Sequence, residues 1–333
     1  MENNLSFVSV VIPCWREEKF IGKCLDTIIE QDYPKDKLEV LVIDGMSDDK
    51  TREIVGNYST RFPFIKLLDN PKRFTNFAFN IGIKASKGEN IAIMGAHAGY
   101  AKDYILKCAK YLKEYRADNV GGVLKTLPAQ NTLVAKSIAY CLSSFFGAGG
   151  SLFRTGANKP TPVDTVFGGF YKKEIFKKIG LFNENLKRSQ DMEFNLRLKK
   201  AGGKILLFPD VSVSYYPQIT FWNFFKHNFN DGIWSLYPLK IIKTKFKLRH
   251  YIPLVFVSAI IIFGILSVFS CLSRGILILI IFYYLLTSLC LSLMIVIREK
   301  DFRFLFLMPI AFFCRHFGYG LGSILGITKI LTG

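Results

Sequence analysis

The sequence predicts an α/β protein: a doubly wound, mostly parallel sheet followed by a C-terminal region of transmembrane helices. Two patterns carry this expectation. Through residues 1–250, short β-branched runs alternate with stretches of helical spacing, the mark of strands joined by crossover helices. From Tyr251 onward, three long apolar stretches replace that alternation. A mean hydropathy of +0.25, with 50% hydrophobic residues, is too apolar for a wholly soluble chain of 333 residues.

The elements follow in order. "FVSVVIPC" is a β-branched run closing on Pro13, and "KFIGKCLDTIIEQ" repeats apolar residues at helical spacing. "LEVLVID" is a second buried strand, and "SDDKTREIVGNYS" a helix with Ser47 or Asp48 as its cap. "FIKLLD", "TNFAFNIGIKAS" and "NIAIMGA" continue as strand, helix and strand. In such sheets ligands bind beyond the carboxyl ends of the strands, where Pro13, Asp44 and Gly95 fall. Further on, "TLVAKSIAYCLSSFFGAGGSLF" is an apolar helix running into glycines, and "VDTVFGGFYKKEIFKKIGLF" a strand, a glycine pair and a helix. "SQDMEFNLRLKKAGG" is a helix with a glycine stop, and "KILLFPD" and "VSVSYYP" are two short strands.

Residues 252–272 and 275–297 are each long enough, at about 1.5 Å per residue, to cross a bilayer core about 30 Å thick. The third stretch, 304–327, contains Pro309, Arg315, His316 and several glycines, so it spans, re-enters or lies in the interface. The expected division is therefore a catalytic-type domain over 1–218, an amphipathic and basic interfacial segment over 219–250, and a membrane region of two to three helices over 251–333.

The formal charge of +18 fits nucleic acid, an anionic membrane surface or phosphorylated substrates. The run Lys240, Lys243, Lys245, Lys247 and Arg249, placed just before the first apolar stretch, favours anionic lipids at a cytoplasmic face, and no nucleic-acid motif accompanies it. His227 and His250 are expected near the interface, and Arg315 with His316 against lipid phosphates. Seven scattered cysteines without C-x-x-C spacing indicate a reducing compartment, with neither a disulfide frame nor a zinc site. The N-terminus lacks the basic and apolar regions of a signal peptide, so the first domain is expected in the cytoplasm, on the inner face of the cell membrane.

The blocks "VSVVIPCWREEKFIGKCLDTIIEQDYP", "EVLVIDGMSDDKTREIV", "NPKRFTNFAFNIGIKASKGENIAIMGAHAGY" and "GGFYKKEIFKKIGLFNENLKRSQDMEFNLRLKKAGGKI" stand in the order of those of a family 2 glycosyltransferase. The resemblance covers about residues 7–235 and is nearest to the membrane-attached enzymes of bacterial exopolysaccharide assembly, such as succinoglycan glucosyltransferases. It implies a GT-A fold that binds a nucleotide sugar at the ends of the first strands.

On that resemblance Pro13, Glu17, Asp44, Arg73 and Gly95 contact the nucleotide sugar: the acids at base and ribose, Arg73 at the diphosphate. The family usually has Asn where Arg16 stands. The fourth strand of the family ends in D-x-D, or D-A-H in the exopolysaccharide subgroup; this chain has Gly95, Ala96 and His97. His97 is left as the one side chain expected to contact a divalent cation, Mn2+ or Mg2+, with an imidazole favouring the softer ion. Asp191 matches the catalytic base, while Glu193, two residues on along a helix, points elsewhere. Gly168, Gly169 and Gln190 are expected at the acceptor, and Trp234 either stacks on a sugar there or anchors in the interface.

The expected activity is transfer of a hexose with inversion from a nucleotide-diphosphate sugar, UDP-sugar first, to a polyprenyl-diphosphate-linked acceptor. Direct synthesis of a polyprenyl-phosphate sugar is the alternative, as is an inactive scaffold, for which the missing acid at Gly95 speaks.

Overall fold

The computed structural model describes residues 5–242 and 248–332, so Lys243, Lys245 and Lys247 of the basic run lie outside the described residues. The chain begins with β1 (Val8–Cys14), α1 (Ile21–Ile29), β2 (Leu38–Asp44), α2 (Thr51–Arg61), β3 (Ile65–Asp69), α3 (Thr75–Ala85) and β4 (Asn90–Ile93). It continues through β5 (Ala98–Tyr100), α4 (Tyr104–Glu114), β6 (Asn119–Thr126), α5 (Leu133–Ser143) and the short α6 (Phe145–Ala148) and α7 (Leu152–Thr155). Then come β7 (Thr161–Pro162), β8 (Phe170–Lys172), α8 (Glu174–Ile179), α9 (Gln190–Lys200) and β9 (Ile205–Tyr215). Among the described residues the chain closes with α10 (Phe221–Ser235), α11 (Tyr237–Ile242), α12 (Ile252–Leu266), α13 (Cys271–Glu299) and α14 (Phe304–Thr332).

It folds as two units, Met1–Lys125 with Thr155–Tyr215, and Thr126–Arg154 with Tyr216–Gly333. The sequence reading kept residues 126–154 in the first domain. They join the C-terminal helices because α5 is an apolar helix, with Ala135, Ile138, Ala139 and Leu142 buried, that packs on α14.

In the first unit the sheet runs β3-β2-β1-β4-β8-β6-β9-β5, with β7 added on β9. The strands from β3 to β4 are parallel, and β8 reverses direction against β4 and β6. Every residue of β2 is buried, as parallel strands covered on both faces require. The chain starts in the centre and turns back across β1 to reach β4, which opens a crevice at the carboxyl ends of those two strands. Pro13 suits that place. The β1–β4 ladder ends at the pair Val11–Ile93, so its missing N–H leaves no partner on β4 wanting.

Several local expectations are corrected. α2 starts at Thr51 after Lys50, with no side-chain cap, because Ser47 is bonded to Asp44 instead. The strand near the glycine pair follows it, as β8, rather than preceding it. "KILLFPDVSVSYY" forms one strand, β9; Pro209 falls between the residues that pair with β7 and those that pair with β5. The sequence reading missed β5, α4 and β6.

The connection leading into α9 is held from α3. The Asn76 amide donates to the main-chain oxygens of Asn183, Glu184 and Leu186 at 3.1, 2.8 and 2.9 Å. One turn on, Asn80 donates to Phe182 O at 2.9 Å and accepts from Phe182 N–H at 3.0 Å. Both amides are buried, so the loop's carbonyls are satisfied by side chains in place of a ladder.

In the second unit α14 is the axis, packed by α5, α10, α12 and α13. Gly318, Gly322 and Gly326, four residues apart, face Phe225, Phe229 and Ile233 of α10, so the two backbones approach closely. α10, which falls in the segment expected at the interface, packs one face on α14 within this unit. α13 and α14 are long and apolar enough to cross a membrane. α12, of 15 residues, is shorter than the stretch expected over 252–272 and at about 22 Å falls short of a bilayer core. Arg315 and His316 do not project toward lipid phosphates: Arg315 donates to Gly147 O at 2.9 Å and to Asn228 Oδ1, and His316 Nε2 lies 3.0 Å from Phe146 O.

Replacing Asn80 with Ala removes a reciprocal buried pair, so Asn80→Ala is expected to destabilise the protein by about 1–3 kcal/mol. Thermal unfolding measures the loss; hydrogen exchange should rise over residues 181–189 while β1 and β2 stay protected.

Candidate active site

The loops that leave β1, β2, β3 and β4 gather at the carboxyl edge of the sheet. Gly45 is where three of them meet: a Cβ there would stand 3.2 Å from Trp15 Cβ and 3.4 Å from Arg73 Cα. Arg16 has φ of 56°, in the left-handed region that non-glycine residues adopt seldom. Its N–H donates to Ser47 Oγ at 2.8 Å, and its guanidinium grips Asp48 at 2.6 and 2.5 Å. That ion pair holds the Asp48 carboxyl below the usual carboxylate range. Between these loops lies an open pocket of about 500 Å³ lined by Arg16, Glu18, Lys19, Phe20, Asp48 and Asp49. Arg73, with φ of 65°, stands exposed on the third loop.

Asp44 is placed differently from a ligand-facing acid. It is 0% exposed, and its oxygens accept from Ser47 N at 2.9 Å, Ser47 Oγ at 2.6 Å and Arg52 Nη1 at 2.8 Å. Arg52 also holds Asp69, the strand-end residue opposite Asp44 in the β2–β3 register, at 2.8 Å. Two neighbouring carboxylates thus share one guanidinium, and Asp44 orders the turn from 45 to 52. A Ser three residues after an Asp at a strand end was the signal available in the sequence.

At the end of β4, Gly95 donates its N–H to Tyr100 Oη at 2.7 Å. Its backbone is not in the left-handed region, and an added Cβ would meet Phe167 Cζ at an ordinary 3.4 Å. The absent acid is therefore not forbidden by the fold. His97, two residues on, points its Nδ1 at Glu17 Oε1, 3.2 Å away, and its ring lies 5.7 Å from that of Tyr215. The structure so joins two sequence-predicted residues 80 positions apart. Cys14 and Cys24 lie beneath. Burial, then the charge of Asp44, pushes the Cys14 thiol far up, and burial, then Glu17, pushes Cys24 to about 12, so neither offers a thiolate.

The glycine pair closes the other side. Gly168 and Gly169 have φ of 65° and 114°, and a Cβ on Gly168 would collide with Ile93 O. Gly169 O accepts from Ile93 N at 2.9 Å, so the chain crosses directly over the end of β4. Beyond β8, Asp191 sits in the first turn of α9, half-exposed, where a helix N-terminus favours negative charge. Its charge acts on Tyr171, whose phenol is pushed up first by burial and then by Asp191, and whose Oη reaches Gly168 O at 3.3 Å. Tyr171 thus links Gly168, beside the end of β4, to α9 through its bond with Asn195. Gln190 precedes Asp191, with Oε1 buried and without a hydrogen-bond partner.

Glu193, by contrast, is 1% exposed and bound to Arg197 at 2.6 and 2.9 Å, which makes it structural. Asn195 was missed by the sequence reading: it accepts from Asn119 Nδ2 at 3.0 Å and Tyr171 Oη at 3.2 Å, and donates to Thr165 Oγ1 at 2.9 Å, pinning α9 to β6 and β8. Trp234 belongs to α10 in the second unit, half-buried with its ring 5.3 Å from that of Tyr237. Among the described residues no three His, Cys, Asp or Glu side chains gather as a metal site. A cation beside His97 would need ligands beyond the protein's own side chains, from a bound substrate or water, and the half-exposed imidazole suits a borderline divalent ion.

Comparison with known proteins bears on this arrangement. The model of "Glycosyl transferase family 2" matches residues 9–180, which take in the first four strand ends and the glycine pair. A dolichyl N-acetyl-α-D-glucosaminyl phosphate 3-β-D-2,3-diacetamido-2,3-dideoxy-β-D-glucuronosyltransferase of Methanococcus voltae is 32% identical over 332 residues, 98% of either chain. The succinoglycan biosynthesis protein ExoA of Rhizobium meliloti is 30% identical over 254 residues, 71% of this chain and 76% of that one. The mannosyltransferase PcManGT from Pyrobaculum calidifontis, solved with GDP-Man and Mn2+, superposes with a TM-score of 0.63 over 94% of this chain and 88% of that one. At 20% identity that likeness is one of fold, the GT-A fold. With the family model spanning more than half of the chain and a relative alike along nearly its whole length, the chain belongs to glycosyl transferase family 2 and is a glycosyltransferase.

Proposed function

We propose that this enzyme moves a hexose, with inversion, from a nucleotide-diphosphate sugar, a UDP-sugar in the first instance, to a lipid-linked acceptor at the cytoplasmic face of the cell membrane, in polysaccharide or glycan assembly. The observation that carries the reading is the crossing of Gly169 over the end of β4, the edge at which open α/β sheets bind ligands, from which β8 leads through α8 to α9 with Asp191 in its first turn. The relative from Methanococcus voltae is named for a dolichyl-phosphate-linked acceptor, and α13 and α14 are long enough to hold the enzyme where such an acceptor is confined. Two-dimensional confinement raises the effective concentration of both partners.

Within that reading the donor lies along the loops after β1 to β4, with Arg73 toward the diphosphate and Glu17 on the same edge. Asp44 contributes by fixing the 45–52 turn from inside. Gly168 and Gly169, where a Cβ would strike Ile93 O and the Tyr171 ring, bring bare main chain to the sugar side of this edge. Asp191 takes the proton from the acceptor hydroxyl as its oxygen attacks the anomeric carbon, and the nucleotide diphosphate leaves from the opposite face. A divalent cation at His97, Mn2+ or Mg2+, would neutralise charge developing on that leaving group. Gln190 and Trp234 are assigned to the acceptor side, and the basic segment around Lys240 and Arg249 to anionic lipid.

Asp191→Asn keeps the shape and removes the base, so kcat is expected to fall by about 10²–10⁴ while UDP affinity by titration calorimetry stays near that of the wild type. Loss of nucleotide binding with kcat preserved would remove Asp191 from this role. Gly95→Asp restores the absent acid in space that accepts a Cβ, so half-maximal activity should need about tenfold less Mn2+, a gain of about 1.4 kcal/mol in metal binding. An unchanged Mn2+ requirement and EDTA sensitivity would show that position 95 does not reach the metal.

A further inference from the structure

The structure assigns Glu17 to the metal together with His97: the first βα loop supplies the carboxylate that the end of β4 lacks. This rests on the proposed nucleotide-sugar reading, and it replaces the expectation that His97 is the sole side-chain ligand.

Three observations carry it. The first is the spacing of the two side chains. Two cis donors each about 2.1 Å from one ion stand about 3.0 Å apart in octahedral and about 3.4 Å apart in tetrahedral geometry. Glu17 Oε1 and His97 Nδ1 are 3.2 Å apart, between those values, and their side chains are 20% and 41% exposed, open to an incoming ion. The second is the rigidity of the loop that presents Glu17. Its N–H donates to Thr51 Oγ1 at 2.8 Å, its carbonyl accepts from Phe20 N and Ile21 N at 2.9 Å, and the preceding Arg16 is fixed on Ser47 and Asp48. The third is that the nearby acids are committed elsewhere. Asp44 is enclosed by Ser47 and Arg52, Asp48 is clasped by Arg16, and Asp49 accepts from Thr51 N at 3.0 Å.

A set of one imidazole and one carboxylate is too small to hold a divalent ion by protein side chains alone, and no third ligating side chain joins them among the described residues. The diphosphate must therefore bring the other ligands, and the ion enters with the nucleotide. The nitrogen donor tilts the pair toward Mn2+ over Mg2+.

The test uses the full-length protein in detergent and follows free Mn2+ by its electron paramagnetic resonance signal, alone and with UDP or, should UDP not bind, GDP. Nucleotide affinity is measured separately in EDTA. Wild type is expected to take up Mn2+ at least tenfold more tightly with nucleotide than without. Glu17→Gln and His97→Ala should each lose tenfold or more of the nucleotide-linked uptake, while both keep the metal-free nucleotide affinity. Uptake by Glu17→Gln equal to wild type overturns the assignment and leaves the transferase reading intact. A Glu17→Gln protein that loses nucleotide affinity in EDTA also overturns it, by placing Glu17 on the nucleoside. Wild type that binds neither nucleotide overturns both this inference and the nucleotide-sugar reading.

Discussion

The site depends on one close passage, the crossing of the Gly168–Gly169 backbone over the end of β4. There Gly169 O accepts from Ile93 N at 2.9 Å, and no side chain fits between Gly168 and Ile93 O. A parallel strand ends with main-chain groups that need partners, and here a returning, antiparallel strand supplies them. Because β8 must leave that contact and lead into α8 and α9, the passage also decides where Asp191 comes to rest. The Asn76 and Asn80 amides then fix the intervening loop, and Asn195 fixes α9 from below. The position of Asp191, the proposed base, is thus set by buried hydrogen bonds elsewhere in the unit.

The acids at the sheet edge divide by what surrounds them. Desolvating a carboxylate costs several kcal/mol unless hydrogen bonds and a counter-charge offset it. Asp44 has all of these, from Ser47 and Arg52, and serves as a structural pivot. Glu17 has instead a half-exposed histidine at 3.2 Å, a partner whose nitrogen is also a metal donor. The stronger its internal partners, the less an acid has left to offer a ligand, and on that scale Glu17 outranks Asp44.

How much of this the sequence discloses follows from the range of each interaction. The strands and helices up to β4 are legible because β-branched runs and apolar residues at spacings of three and four repeat locally, as in Ile21, Cys24, Leu25 and Ile28 on α1. The order of the family's blocks pointed to Asp191, the glycine pair and His97. The errors arise where a side chain takes a partner that the local pattern does not name, or where two short runs join. Ser47 bonds back to Asp44, three residues before it, where a cap of α2 was expected, and the two strands expected in "KILLFPD" and "VSVSYYP" are one, β9. The Glu17–His97 pair and the Asn76 clamp join residues 80 and more than 100 positions apart, and no spacing rule reaches that far.

The second unit shows the same logic applied to charge in an apolar setting. Arg315 and His316 lie within a helix otherwise suited to lipid, where an unpaired charge is costly. They are satisfied by the carbonyls of Gly147 and Phe146, by Asn228 of α10 and by Tyr284 of α13. The segment from α5 to α6 therefore has to belong to this unit, since it carries the acceptors that α14 needs. The glycine face of α14 brings α10 near enough for Asn228 to reach Arg315. An apolar stretch interrupted by Arg, His and glycines is thus a helix with one face packed on protein, which is why composition alone left its path open.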